Sequence, residues 1–354
     1  MLKQASSLLL IDFLKVFAAL LIILHHLSSY GQIAEDAYLV LPAVMTWLFE
    51  YGRYAVQIFL VMAGYLAAQS LSRYANNRFS AQSLLKIILN RYLRLFAPYA
   101  AALIFTIICA YIARFWVNDE FVGESETLAQ FLAHLFFIQG ILGLDSISAG
   151  AWYIAIDWQL YSVLAILLIS FSSYQAVIWV ISILAVASLL IFNRSGEYEA
   201  YFIYFIGAYG LGVLAYLSKC FQNQGVNRVA RISLALIGLA IVVSSFQQIW
   251  LRNYLAWSVA IMLLFWGNMP YPAGAKDNAF LKAISWGSKR SYCAFLIHFA
   301  FILLANTLYI ALGLNAHESG ALAITLMLAV LVSSVTAANY LYRWIEVPSV
   351  KLKV

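Results

Sequence analysis

Asp12, Lys15 and the doublet His25-His26 are ionisable groups carried by one apolar run, Leu8 to Tyr30. A run of that length crosses a bilayer. Ionisable groups inside a spanning segment are costly, so they point to chemistry with partners elsewhere in the chain. On a helix, positions 12, 15, 19, 22 and 26 step by three and four and therefore share a stripe. The stripe sets Asp12 and Lys15 near one membrane face and His26 near the other, about 16 Å beyond Lys15. An imidazole at that place suits a general base or a nucleophile. A solvated interfacial histidine is the plain alternative. His25 points about 100° away, toward another helix or the headgroups.

Two further stretches carry chemistry. In Ala151–Tyr161, AWYIAIDWQLY, Asp157 opens the fourth apolar span at about the depth of His26. A carboxylate there would orient the imidazole and stabilise its protonated form; a helix-start acid favoured by the macrodipole is the plain alternative. Trp152, Tyr153, Trp158 and Tyr161 either wall a sugar or lipid site or belong to an interface belt. At the opposite face Arg91 and Arg94 lie three apart, on one helix face, where they would clamp a phosphate-bearing ligand. Ordinary flanking charge is the competing reading. Asp12 and Lys15 sit at similar depth, which suggests a shared mouth. His298, mid-span in SYCAFLIHFAF, reads as a hydrogen-bonded structural histidine rather than a catalytic one.

The scaffold that must position these groups is all-α. Of the 354 residues 64% are hydrophobic and 10% charged, which excludes a soluble domain. Apolar runs at about 8–30, 52–72, 95–116, 152–171, 174–193, 201–218, 232–251, 254–268, 290–314 and 321–342 predict a bundle of about ten transmembrane helices. It forms one domain over 1–354, without a cleavable signal or a soluble part. A further apolar segment, 128–149, is read as re-entrant or interfacial, which leaves both termini cytoplasmic. Of the 21 Lys and Arg, only Arg53, Arg114, Arg194 and Arg252 then fall outside, a strong positive-inside bias. That bias, rather than a nucleic-acid partner, accounts for the net charge of +6. Gly207, Gly210 and Gly212 lie inside an apolar span and suit close helix packing, not phosphate binding. Cys109, Cys220 and Cys293 are scattered singly and predict neither a disulfide framework nor a metal site.

Taken in order, these stretches resemble the acyltransferase-3 family of integral membrane O-acyltransferases. IDFLKVFAALLIILHH is similar to the family's opening helix, with its acid, a basic residue three later and a histidine eleven beyond. That spacing puts the functional histidine at His26. YAVQIFLVMAGYL, RYLRLFAPY, AWYIAIDWQLY, SYCAFLIHFAF and NYLYRWIEVPSVKL resemble the later motifs, the last with its closing Glu-x-Pro. Lys15 stands where Arg is usual, Gln57 where an acid is usual and Asp157 where Glu is usual.

The resemblance implies a multi-pass protein of the bacterial inner membrane that takes an acyl group, expected to be acetyl, from cytosolic acetyl-CoA. The acceptor is a hydroxyl of a cell-envelope sugar, polysaccharide or glycolipid at the outer face. It further implies His26 and Asp157 in catalysis, and Arg91, Arg94, Lys15 and Asp12 around the donor. Trp152, Gln159 and Tyr161 would contact the acceptor. A transporter or channel for a sugar, lipid or anion is the rival, weakened by the lack of inverted repeats or paired broken helices.

Overall fold

A computed structural model describes residues 8–72, 80–118, 120–219, 223–275 and 277–352. Of the charged residues and cysteines that bear on topology, Lys3, Arg73, Arg78, Asp119, Cys220, Lys276 and Lys353 lie outside the described residues. The helices are α1 (Leu9–Leu27), α2 (Gln32–Val40), α3 (Pro42–Tyr51), α4 (Ala55–Leu71), α5 (Ala81–Ala113), α6 (Leu128–Leu135), α7 (Ala151–Ser170) and α8 (Tyr174–Leu190). They continue as α9 (Phe202–Leu217), α10 (Gln224–Ser244), α11 (Leu251–Trp266), α12 (Ala279–Ser288), α13 (Ser291–Ala311) and α14 (Gly320–Leu341).

Among the described residues eight apolar helical stretches are long enough to cross a bilayer, one of them Pro42–Leu71, which joins α3 to α4 through a tight turn at Gly52–Tyr54. α9 and α11 are shorter and equally apolar. Together they occupy the ten predicted runs, and the protein is a polytopic helical bundle. Only helices and closed barrels satisfy backbone groups in lipid, so apolar runs of this length have no other stable form.

One boundary changes the site. The third run, expected to start near 95, begins at Ala81, because Ser80 caps it through Ser83 N–H (3.2 Å) and nothing breaks it before Pro98. Pro98 stays inside the helix. Near the backbone it disturbs, Tyr292 donates its hydroxyl to the Leu95 carbonyl (2.9 Å), as neighbouring helices do at membrane prolines. Arg91 and Arg94 are consequently on a helix shaft, not in a flanking loop.

α9 is the central post: every residue from Tyr204 to Leu217 is buried. A helix apolar on all sides belongs inside a bundle. It touches α4 backbone to backbone at Gly64 and Gly212. A methyl group on Gly64 would overlap the Tyr209 carbonyl oxygen, and one on Gly212 the Val61 carbonyl oxygen. Gly207 and Gly210 face Leu189 and Ile181 of α8. Small residues permit this approach where lipid provides no hydrophobic drive between helices.

The segment 128–149 holds no helix long enough to cross a bilayer, in line with the re-entrant or interfacial reading. α6 has 8 residues, and the chain beyond it turns irregularly back against α5 and α7. Phe137, in a left-handed conformation (φ 60°), buries its ring among Tyr92, Tyr99 and Trp158. Irregular backbone at this depth is tolerable because protein covers it. His134, fully buried, staples the segment: Nδ1 donates to the Gln130 carbonyl (2.8 Å) and Nε2 accepts from Ile147 N–H (3.1 Å).

Gly64→Ala should cost about 2 kcal/mol or more by forcing α4 from α9. Its melting temperature in detergent should fall below that of Gly196→Ala, whose site is open; equal values would remove α4–α9 contact as a determinant. For His134, burial holds the imidazole below its usual value, partly offset by the bond to Gln130. The folded state then binds fewer protons than the unfolded, so stability falls once pH drops below about 6.5 and levels off below the lowered folded value. Protease sensitivity of 128–149 should rise over that window and lose its pH dependence in His134→Gln.

Candidate functional site

His26 meets His298. Nδ1 of His26 lies 2.7 Å from Nε2 of His298, with the ring planes 5° apart. His298 is fully buried on α13, and its Nδ1 sits 2.8 Å from the Phe295 carbonyl oxygen. A carbonyl only accepts, so Nδ1 of His298 carries the proton and its Nε2 is a bare acceptor when the ring is neutral. Nδ1–H of His26 therefore donates to it. The relay leaves the lone pair of His26 Nε2 without a hydrogen-bond partner among the described residues, which is the protonation state of a general base.

Tyr30 stands over this pair, its ring 5.7 Å from His26 and edge-on to Phe299. His25 turns the other way and is fixed by the Leu48 carbonyl (3.0 Å to Nδ1). Beside both lies an open cavity of about 560 Å³, lined chiefly by His25, Ser29, Tyr30, Glu50, Arg53 and Tyr54. It joins aromatic faces, hydroxyls and one charge of each sign; neither His26 nor His298 lines it, and Tyr30, which does, packs on His26.

Asp157 does not orient His26. Its carboxylate is bonded to the guanidinium of Arg91, Oδ2 to Nη2 at 2.5 Å. Arg91 also lies over the Tyr161 ring, 5.1 Å from its centroid. The physical reason is the length of α5. Its shaft carries Arg91 into the bundle, where a cation in low dielectric takes the nearest anion. Arg91 and Arg94 thus separate in role, since Arg91 is committed to Asp157 while Arg94 stays exposed.

Asp12 is committed too. Its oxygens accept from Ser288 Oγ (2.6 Å) and Tyr271 OH (3.0 Å), which ties α1 to α12 and to Tyr271 after α11. Burial and this carboxylate push the Tyr271 phenol up to about 12. Asp12 is accordingly a structural acceptor, and its like charge suits no phosphate. Lys15 is half-buried and lies within electrostatic range of Asp12, Arg94 and Glu346. Among the described residues the ion pairs within 4.0 Å are Arg91–Asp157 and Arg114–Glu126. Lys15 and Arg94 thus form a basic pair with no carboxylate bonded to either.

The expected acceptor contacts disperse. Gln159 is a splint, Nε2 donating to the Ala200 carbonyl (3.2 Å) and Oε1 accepting from Phe202 N–H (2.9 Å), so each end is already engaged once by the backbone. Trp152 stacks on Phe205 (5.3 Å), and Tyr161 lies under Arg91. Tyr153 packs on Phe295, which packs on His298.

Sequence reasoning undervalued His298 and Glu346. The signal for His298 was present, an ionisable group within an apolar span. Glu346 ends a π-helical turn, Tyr342–Glu346, and accepts from Cys293 Sγ (3.0 Å) while facing Lys15 and Arg94. π-turns recur at functional sites, yet single-residue insertions of this kind leave no periodicity to read.

A helical bundle of long apolar helices with buried, partnered ionisable groups defines a polytopic membrane protein. Over residues 8–343 the sequence matches the acyltransferase-3 family, described as an acyltransferase domain. The chain belongs to that family and is a membrane acyltransferase. No curated protein and no solved structure matches it.

Breaking the Arg91–Asp157 pair strands a charge in the bundle. Asp157→Asn or Arg91→Met alone should destabilise by about 3–5 kcal/mol. The double variant Arg91→Met/Asp157→Leu should recover most of that stability. A double-mutant cycle in thermal unfolding that gives additive losses would show the pair to be uncoupled.

Proposed function

We propose that the protein transfers an acetyl group from acetyl-CoA to a hydroxyl of a cell-envelope sugar, polysaccharide or glycolipid, with the Lys- and Arg-rich end of the bundle in the cytosol of a bacterial inner membrane. The observation that carries the reading is the relay Phe295 C=O, His298, His26, which leaves His26 Nε2 free to take a proton. Family membership supports acyl chemistry. The cavity beside His25 and Tyr30 supports a hydroxyl-rich acceptor reaching His26 from the opposite end.

On this reading Lys15 and Arg94 hold the donor's phosphates, since they carry no bonded carboxylate. Arg91, fixed by Asp157, walls the passage between the two ends. The donor's pantetheine arm supplies the reach along the stripe, about 16 Å from Lys15 to His26. The acceptor O–H gives its proton to His26 Nε2 as its oxygen attacks the thioester carbonyl. The new C–O bond forms, the C–S bond breaks, and His26 returns the proton to the departing thiolate. His298 acts as a positioning residue. By accepting from Nδ1 of His26 it fixes the tautomer and spreads the positive charge of the intermediate imidazolium.

With labelled acetyl-CoA and purified protein, His26→Ala should lower label release or transfer by about 10²–10⁴-fold without loss of fold; turnover within a few-fold of wild type would refute the base. His298→Asn should lower kcat at unchanged donor KM and displace the pH–rate profile. Lys15→Gln/Arg94→Gln should instead raise donor KM at least ten-fold, and an unchanged KM would remove the phosphate pair.

A further inference from the structure

Two of the four basic residues that fall opposite the cytosolic face converge on one spot. Arg194, in the turn after α8, and Arg252, in the first turn of α11, both lie over the Trp250 ring, 5.7 and 4.7 Å from its centroid. No carboxylate lies within 4.0 Å of either guanidinium among the described residues; Glu199 is in electrostatic range of the Tyr204 hydroxyl that Arg252 bonds. Arg252 is partly satisfied, donating Nη1 to the Tyr204 hydroxyl (2.9 Å) and Nη2 to the Asn193 carbonyl. Its Nε is buried and bonded to nothing, as are Nε and Nη2 of Arg194 and Nε1 of Trp250.

Four N–H donors are therefore buried without an acceptor, and two like charges share one indole. Each unmet buried donor is costly, more so when charged, and the mutual repulsion of two guanidinium groups adds to the cost. One anionic group with several oxygens answers both demands, and guanidinium forks match a phosphate in particular. The flanks identify the surroundings: Ile191, Ile249 and Leu251 are 65%, 66% and 51% exposed around the cluster. In a membrane bundle such a rim faces acyl chains, and the guanidinium groups sit where helices end, at headgroup depth.

We propose that Arg194, Arg252 and Trp250 form a binding site for a phosphate group, its occupant a phosphate-bearing lipid headgroup or a free phosphate ion. The site is separate from the Lys15–Arg94 pair and does not depend on acyl transfer. It abuts the acceptor side of the bundle: Tyr204, bonded to Arg252, packs on Phe205 (4.6 Å), which stacks on Trp152 of α7.

The Arg194 side chain makes no hydrogen bond or ion pair among the described residues beyond its contact with the Trp250 ring, so Arg194→Gln should fold normally, and Arg194→Lys retains the charge as a second variant. The detergent-purified full chain is titrated with short-chain phosphatidylglycerol, with phosphatidylcholine and with inorganic phosphate, reading the melting temperature. Phosphatidylglycerol should stabilise the wild type, with an apparent affinity at least ten-fold weaker in Arg194→Gln and intermediate in Arg194→Lys, and phosphatidylcholine should do less. That pattern assigns the occupant to a lipid headgroup. The same Arg194-dependent shift with millimolar phosphate and no further gain from the lipid assigns it to the free ion. No shift with any probe, or equal shifts in wild type and Arg194→Gln, overturns the site.

Discussion

In the proposed reaction an imidazole works as a base inside a membrane bundle and needs its tautomer fixed, and the His26–His298 bond does this. Phe295 offers a carbonyl, His298 turns it into a bare Nε2, and His26 is obliged to present its own lone pair elsewhere. The helices that carry this relay are placed accordingly. α13 is largely buried, α1 packs along it, and the Tyr30 and Phe295 rings close around the pair. Moving α1 by one residue would turn His26 by about 100° and put His25 or Leu27 in its place.

The rest of the ionic architecture follows from the cost of charge in low dielectric. Arg91 is carried deep by a continuous α5, so it takes Asp157. Asp12 is buried at the start of α1, so two hydroxyls solvate it. Once these demands are met, Lys15 and Arg94 at one end and Arg194 and Arg252 at the other are left without carboxylates bonded to them. Cations with no carboxylate bonded to them are where anionic ligands gain most, because the protein has already borne the cost of placing the charge.

Much of this was legible in the chain. The ten apolar runs and the re-entrant reading of 128–149 rest on length and hydropathy, which lipid enforces residue by residue. The glycines of α9 were identifiable as packing residues because small side chains inside an apolar span have few other uses. The motif order from IDFLKVFAALLIILHH to the closing Glu346-Val347-Pro348 sufficed for the family. The pairing of Asp157 with His26 was not sound, because equal depth along two helices says nothing about which faces meet. Gln159 likewise reads as a polar contact in a motif, yet it serves the backbone at Ala200 and Phe202.

The sequence by itself determined the fold class, the family and the stripe that carries Asp12, Lys15 and His26, since each depends on one segment meeting lipid or on the 3.6-residue period of one helix. Only the tertiary structure decided the partners: His298 for His26, Arg91 for Asp157, Ser288 and Tyr271 for Asp12. Partner choice depends on the rotation of each helix about its axis and on where α5 begins, and both are set by packing across the bundle, at Gly64 against α9 and at Tyr292 beside Pro98, rather than by any run of neighbouring residues.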